Sequence, residues 1–125
     1  MHLVLDIGGE GRHAGAVNVN TRCCKTLGPE KGEPIPRLLC ARADALPLAS
    51  GSIAQIIVER TPLSSAALAE IARVIAPGGT IVLRHVPLPH GDRHARAKER
   101  LGGNAVTGTL RLAGQWVQET RILVA

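Results

Sequence analysis

Apolar residues along the chain come mostly in short runs. Leu3-Val4-Leu5-Asp6-Ile7 is nearly continuous until Gly8-Gly9 stops it, which predicts a buried strand. Ala16 to Asn20 alternates β-branched and polar residues and predicts a second. Thr21 to Arg37 carries Pro29, Pro34 and Pro36 with Gly28 and Gly32, so a long loop is expected there in place of a helix. Leu38 to Ala43 predicts a third strand and Ile53 to Glu59 a fourth, the latter apolar on both faces.

The clearest helical period runs from Ser64 to Ile75, where Leu68, Ile71, Ala72 and Ile75 fall on one stripe. Ser64 or Ser65 can cap its start, and Pro77-Gly78-Gly79 stops it before a fifth strand, Thr80 to Val86. Asp92 to Leu101 predicts a second helix, capped by Asp92 and ended by Gly102-Gly103. Thr107 to Leu112 and Trp116 to Val124 predict two strands joined at Ala113-Gly114-Gln115. Together these elements predict one α/β domain over residues 1–125. The expected architecture is a Rossmann-like, mainly parallel sheet of about seven strands, with a C-terminal antiparallel hairpin and a reduced helix complement. In such sheets ligands bind beyond the carboxyl ends of the strands, so the loops there should carry the function.

Composition narrows the picture. The 125 residues are 45% apolar, yet Phe and Tyr are missing and Trp116 is the single aromatic, so Ile, Leu, Val and Ala must build the core. The formal charge is +5, with the excess near the C-terminus in Arg93, Arg96, Lys98 and Arg100. A basic face attracts anions, but without interleaved aromatics to stack bases, nucleic acid is not the expected partner. No apolar run approaches the roughly 20 residues that cross a bilayer. Met1 to Asp6 lack a basic stretch followed by a long apolar one, so a cytoplasmic protein is expected. Cys23, Cys24 and Cys40 match neither zinc-site nor C-x-x-C spacing and are expected to be reduced thiols.

Two segments go further than fold class. Leu3 to Gly11 is a strand ending in an acid and then a glycine-rich turn, where glycines let backbone approach a ligand. Ala43-Asp44-Ala45 precedes the fourth strand, and the helix after that strand runs into Pro77-Gly78-Gly79 and a fifth. In this order the segments resemble class I S-adenosylmethionine-dependent methyltransferases, in particular small members acting on small molecules. The resemblance implies S-adenosylmethionine as cofactor. It implies Asp6, Gly8, Gly9 and Gly11 at the methionine end, Asn20 at the ribose hydroxyls, and Asp44 and Ala45 at the adenine. The chain departs from the family where Glu10 or Arg12 replaces a third glycine and Asn20 replaces a common acid. The helices expected after the first two strands are also missing.

Methyl transfer needs alignment and sometimes one base. Glu59, His85 and His90, at or just after strand ends, are the catalytic candidates. Glu59-Arg60-Thr61-Pro62 stands where an Asn/Asp-Pro-Pro-aromatic tetrad would mark amide- or base-nitrogen methylation. His85, His90 and His94 are interrupted by Pro87, Pro89 and Gly91 and have no fourth ligand, so no metal is expected. The expected function is a methyltransferase-like protein that binds S-adenosylmethionine and methylates a small molecule. The alternatives are an inactive methyltransferase-like partner subunit and a basic RNA-binding module. Right-handed crossovers would put both helices on one side of the sheet. The bare side predicts a homodimer, or an obligate partner chain packed over that face.

Overall fold

A computed structural model describes residues 3–125. The elements are β1 (Val4–Ile7), β2 (Val17–Asn20), β3 (Leu38–Cys40), β4 (Ile53–Glu59), α1 (Ser65–Val74), β5 (Ile75–His85), α2 (Ala95–Leu101), β6 (Asn104–Leu112) and β7 (Gln115–Leu123). They form one seven-stranded sheet in the order β3-β2-β1-β4-β5-β7-β6. The first five strands are parallel, and β7 inserts antiparallel between β5 and β6. The chain moves outward from β1 to β3, then returns to the other side of β1 as β4. That reversal opens a crevice at the carboxyl ends of β1 and β4.

The expected Rossmann-like architecture is what the chain adopts, and β4 has the predicted bounds. Differences lie at element ends. α1 stops at Val74, because Ile75 turns extended (φ −67°, ψ 134°) while its amide still bonds Ile71 O. Ile75 already pairs with Ile53, so Pro77-Gly78-Gly79 lies inside β5 as an irregularity between two paired stretches. There Gly79 has no room for a Cβ, which would sit 2.9 Å from Ala54 O. α2 begins at Ala95 and not at Asp92, because Asp92 Oδ1 accepts the His94 amide at 2.8 Å. This local turn holds the His94 ring inside. The hairpin turn is two residues, Ala113 (φ 50°) and Gly114 (φ 78°), the left-handed pair of a type I′ turn.

Both helices lie on one face and touch, with Arg96 bonding Ser65 Oγ across them. Beneath them Leu5, Ile7, Ile56, Val58, Ile81, Leu83 and Ile122 form the core with Leu68 and Ile71 of α1. Ser64 caps α1 by accepting the Ala67 amide at 3.1 Å. Arg73 ties its last turn to the β3–β4 loop through Leu46 O and Leu48 O.

Among the described residues no helix covers the other face. That face is not the apolar patch expected from the missing helices. Ile57, Val82 and Val117 are buried on it, and a row of ion pairs crosses it beside them. Arg12 holds Asp6 through two bonds of 2.8 and 3.0 Å and approaches Glu59 at 3.5 Å. Glu59, Arg84 and Glu119 stand side by side on β4, β5 and β7, and Arg121 closes the row on Glu119 at 2.9 Å. Long arginine stems shield apolar surface while their charges stay near water.

Candidate functional site

The crevice is built from four strand ends. Ile7-Gly8, Val19-Asn20, Ala41 and Thr61 enclose a cleft of about 180 Å3. It shares Thr21 and Ala43 with a wider, open groove of about 660 Å3, whose other walls are Arg42, Asp44, Pro62, Ser64 and Ala67. Small residues (Ala41, Ala43, Ala67) line this path and leave room for a flat ring.

The glycine turn is packed down onto the sheet. Gly8 needs its positive φ (75°), and a Cβ there would strike Thr61 Oγ1 at 2.0 Å. A Cβ on Gly9 would meet Asn18 Oδ1 at 2.3 Å and the Asp6 carboxyl at 2.5 Å. The turn amides are spent within the chain. Gly8 N donates to Val19 O (2.8 Å), Gly9 N to Asp6 O (3.1 Å) and Gly11 N to Asn18 Oδ1 (3.2 Å).

The residues expected at the cofactor are thus divided. Gly8 and Asn20 line the cleft, and Asp44 lines the groove. Asn20 already donates to Gly9 O (3.2 Å) and accepts from the Arg22 amide (2.9 Å). Asp44 is held bidentately by Arg42 at 2.8 and 2.9 Å, which keeps its carboxyl below the usual range, and its side chain stays 30% exposed. Ala45 donates to Arg42 O in the turn before β4 and lines neither opening. Gly11 borders a second cavity with Lys25 and Glu30, which shares Gly8 with the cleft. Asp6 is fully buried under Arg12 on the open face.

None of Glu59, His85 and His90 lines the crevice. The Glu59 carboxylate belongs to the ion-pair row. His90 is exposed in the loop after β5. His85 is buried beneath the helices, with both ring nitrogens engaged. Its partners fix the proton positions. His85 Nε2 lies 2.7 Å from Thr61 O, a pure acceptor, so that nitrogen carries the hydrogen. In the neutral ring Nδ1 then accepts from His94 Nε2 at 2.8 Å, and His94 Nδ1 accepts from Thr120 Oγ1 at 2.7 Å. Thr107 donates to Thr120, and Lys98 donates to Thr107 at 3.0 Å, so one directed chain runs from α2 to the loop after β4. Burial, then the neighbouring His85 ring, pushes His94 down to about 4. Burial also lowers His85, while the Thr61 carbonyl opposes the shift. Asp92, beside this chain, is held to about 2, chiefly by Lys98 and also by Gln118.

Sequence reasoning missed Thr61. Its hydroxyl donates to Ile7 O (3.2 Å) and presses on Gly8, while its carbonyl anchors His85. Arg60 makes this possible by adopting φ 60°, costly for a residue with a side chain. No pattern marks Arg60, although the segment directly after a strand of this type was the place to look. Among the described residues no group of three or more metal-ligating side chains assembles. No helix among them is long and apolar enough to cross a membrane.

No protein-family model matches the sequence, and no curated protein matches it. Solved structures do. A S-adenosylmethionine-dependent methyltransferase from Thermotoga maritima, described as a possible histamine N-methyltransferase, aligns at TM-score 0.69 and 16% identity over 100% of this chain and 83% of its own. The 16S rRNA (adenine(1408)-N(1))-methyltransferase from Catenulisporales acidiphilia aligns at TM-score 0.64 and 15% identity over 99% and 88%. An arsenic(III) S-adenosylmethionine methyltransferase from Chlamydomonas reinhardtii aligns at 0.61 and 15% over 99% and 64%. At such identities the likeness establishes the fold, that of class I S-adenosylmethionine-dependent methyltransferases.

Proposed function

We propose that this chain, which has the class I methyltransferase fold, binds S-adenosylmethionine in the crevice and transfers its methyl group to a small molecule. The carrying observation is a pair of adjoining openings at the strand ends that share Thr21 and Ala43, one lined by Gly8, Asn20 and Thr61 and the other by Asp44 and Ala67. The groove suits the adenosine end. Asp44 keeps a half-buried carboxylate whose remaining lone pairs can accept from an amino group, and Ala43 and Ala67 leave space for the ring. Asn20 would meet the ribose by exchanging its bond to Gly9 O. Bound there, the cofactor supplies a methyl group already activated on a sulfonium.

With Glu59 and His85 committed elsewhere, the chain's own contribution is positioning. The acceptor in this reading is a nucleophile that is already deprotonated at neutral pH. A small acceptor is favoured over nucleic acid, because Trp116 stacks under Arg111 in the hairpin and no aromatic borders the crevice. Free Cys23, Cys24 and Cys40 fit a reducing compartment such as the cytoplasm.

One observation favours a second reading, a binding subunit without turnover. The amides of Gly8, Gly9 and Gly11 are all satisfied internally, which leaves the methionine end few donors. Calorimetric titration with S-adenosylhomocysteine tests binding for both readings. We expect Asp44→Ala to weaken binding by about 1–3 kcal/mol while leaving the melting temperature unchanged. No binding by the parent at millimolar ligand refutes both readings. Binding without methyl transfer to any imidazole, aromatic amine or acidic thiol in a small-acceptor panel, each with a free lone pair at neutral pH, selects the second.

A further inference from the structure

β6 is the outermost strand at the hairpin end of the sheet, and among the described residues nothing pairs with its free edge. It runs for nine residues, and the first six are all exposed. A long free edge is a template for another strand, and proteins ordinarily blunt one with lysine, glutamate, proline, a bulge or a short strand. β3, at the opposite edge, is blunted. It has three residues, follows Pro36 and is flanked by Arg37 and Arg42. β6 has none of these devices. Its register with β7 is unbroken from Asn104 to Leu112, it contains no proline, and Arg111 is its single charge.

We propose that β6 is a self-association edge, pairing antiparallel with β6 of a second copy about a two-fold axis at Gly108. The strand is self-complementary in this register. Val106 faces Leu110 of the partner subunit, Thr107 faces Thr109 of the partner subunit, and Ala105 faces Arg111 of the partner subunit. The four pairs beside the axis thus match apolar with apolar and hydroxyl with hydroxyl, the kinds of cross-strand pair that stabilise antiparallel strands, while Arg111 meets only a methyl group and Asn104 meets Leu112 of the partner subunit at the strand ends. Gly108 is the middle residue of β6, so this axis uses the whole strand. Moving the axis to Thr107 would put Val106 opposite Gly108 of the partner subunit and leave Arg111 and Leu112 beyond the start of the partner strand. The pairing would also cover Val106, which is 73% exposed in the single chain. Lys98, which reaches Thr107 from α2, is neutralised by Asp92 and leaves no bare cation by the axis. The inference rests on the strand alone and is independent of methyl transfer. It moves the expected partner from the open face, which ion pairs already cross, to the sheet edge.

Disulfide trapping reads the register directly. In a Cys23→Ser, Cys24→Ser, Cys40→Ser background, Gly108→Cys and Val106→Cys are compared under mild oxidation. Gly108 accepts a side chain, since its Cβ would meet nothing within 4 Å and its φ is not positive. Two copies of residue 108 would stand directly opposite each other. Two copies of residue 106 would be offset by four residues, about 14 Å, which is beyond the roughly 7 Å a disulfide can span. We expect covalent dimer from Gly108→Cys and little from Val106→Cys. Equal trapping at both sites, trapping at 106 alone, or none at either overturns the proposal. In parallel, light scattering over a dilution series should show the unmodified chain dimerising. Val106→Lys, with its fold verified by circular dichroism, should raise the dissociation constant at least about tenfold. A parent that stays monomeric throughout the series, or an unchanged constant in the variant, also overturns it.

Discussion

The two faces of the sheet bury polar groups in opposite ways. Under α1 and α2, His85, His94 and Thr120 are each at most 3% exposed and form a neutral chain. On the open face, Asp6, Arg12, Glu59, Arg84 and Glu119 form a row of ion pairs across the strands. The difference follows from access to water. Two helices remove solvent from the first cluster, so charge there is penalised and the imidazoles stay uncharged. The second cluster has only side chains above it, and Arg12 keeps 28% of its side chain exposed. Every charged group there has an ion-pair partner, and all but Asp6 keep some contact with water.

Substitutions can break this contrast. The largest loss is expected for Arg12→Ala, which strands the Asp6 carboxylate at zero exposure without its partner. About 3 kcal/mol of stability should disappear in urea titrations at pH 7. Replacing Asp6 as well, in Asp6→Asn/Arg12→Ala, should recover part of it.

Acid should undo the neutral chain next. His94 titrates near 6.5 when unfolded and about 4 when folded, so between these values the unfolded chain binds more protons. Its contribution is therefore complete above pH 6.5 and is lost as pH falls through 4. The loss is on the order of 2–3 kcal/mol. Denaturation midpoints measured from pH 7 to 4 should fall in the parent and flatten in His94→Gln. A parent midpoint insensitive to this window would refute the neutral assignment.

Thr120→Val is the gentler probe of the same chain. It removes the donor to His94 Nδ1 and leaves only Gln118 Nε2 at 3.3 Å, so a cost of about 1–2 kcal/mol is expected. Smallest of all is Arg121→Ala at the exposed end of the ion-pair row, where the change should stay within about 0.5 kcal/mol and vanish in salt.

Local pattern carried the strand and helix order. The bounds of β4 were legible because Ile53 to Glu59 is apolar on both faces, and α1 because its stripe and its cap at Ser64 agree. The turn at Gly8 was legible for the same reason, a short signal beside a strong element. Element ends were less legible. Ile75 carries a helical spacing, yet pairing with Ile53 draws it into β5.

The amino-acid sequence by itself determined an aromatic-poor α/β sheet with a crevice at its strand ends. It did so because periods of two and 3.6 residues decide which side chains share a face. Tertiary structure alone decided what the polar residues do. Asp6 meets Arg12, and His85 meets His94 and the Thr61 carbonyl, through contacts between segments that no local pattern brings together. Whether a carboxylate or an imidazole is free to act depends on what lies over it, and only the folded chain sets that cover.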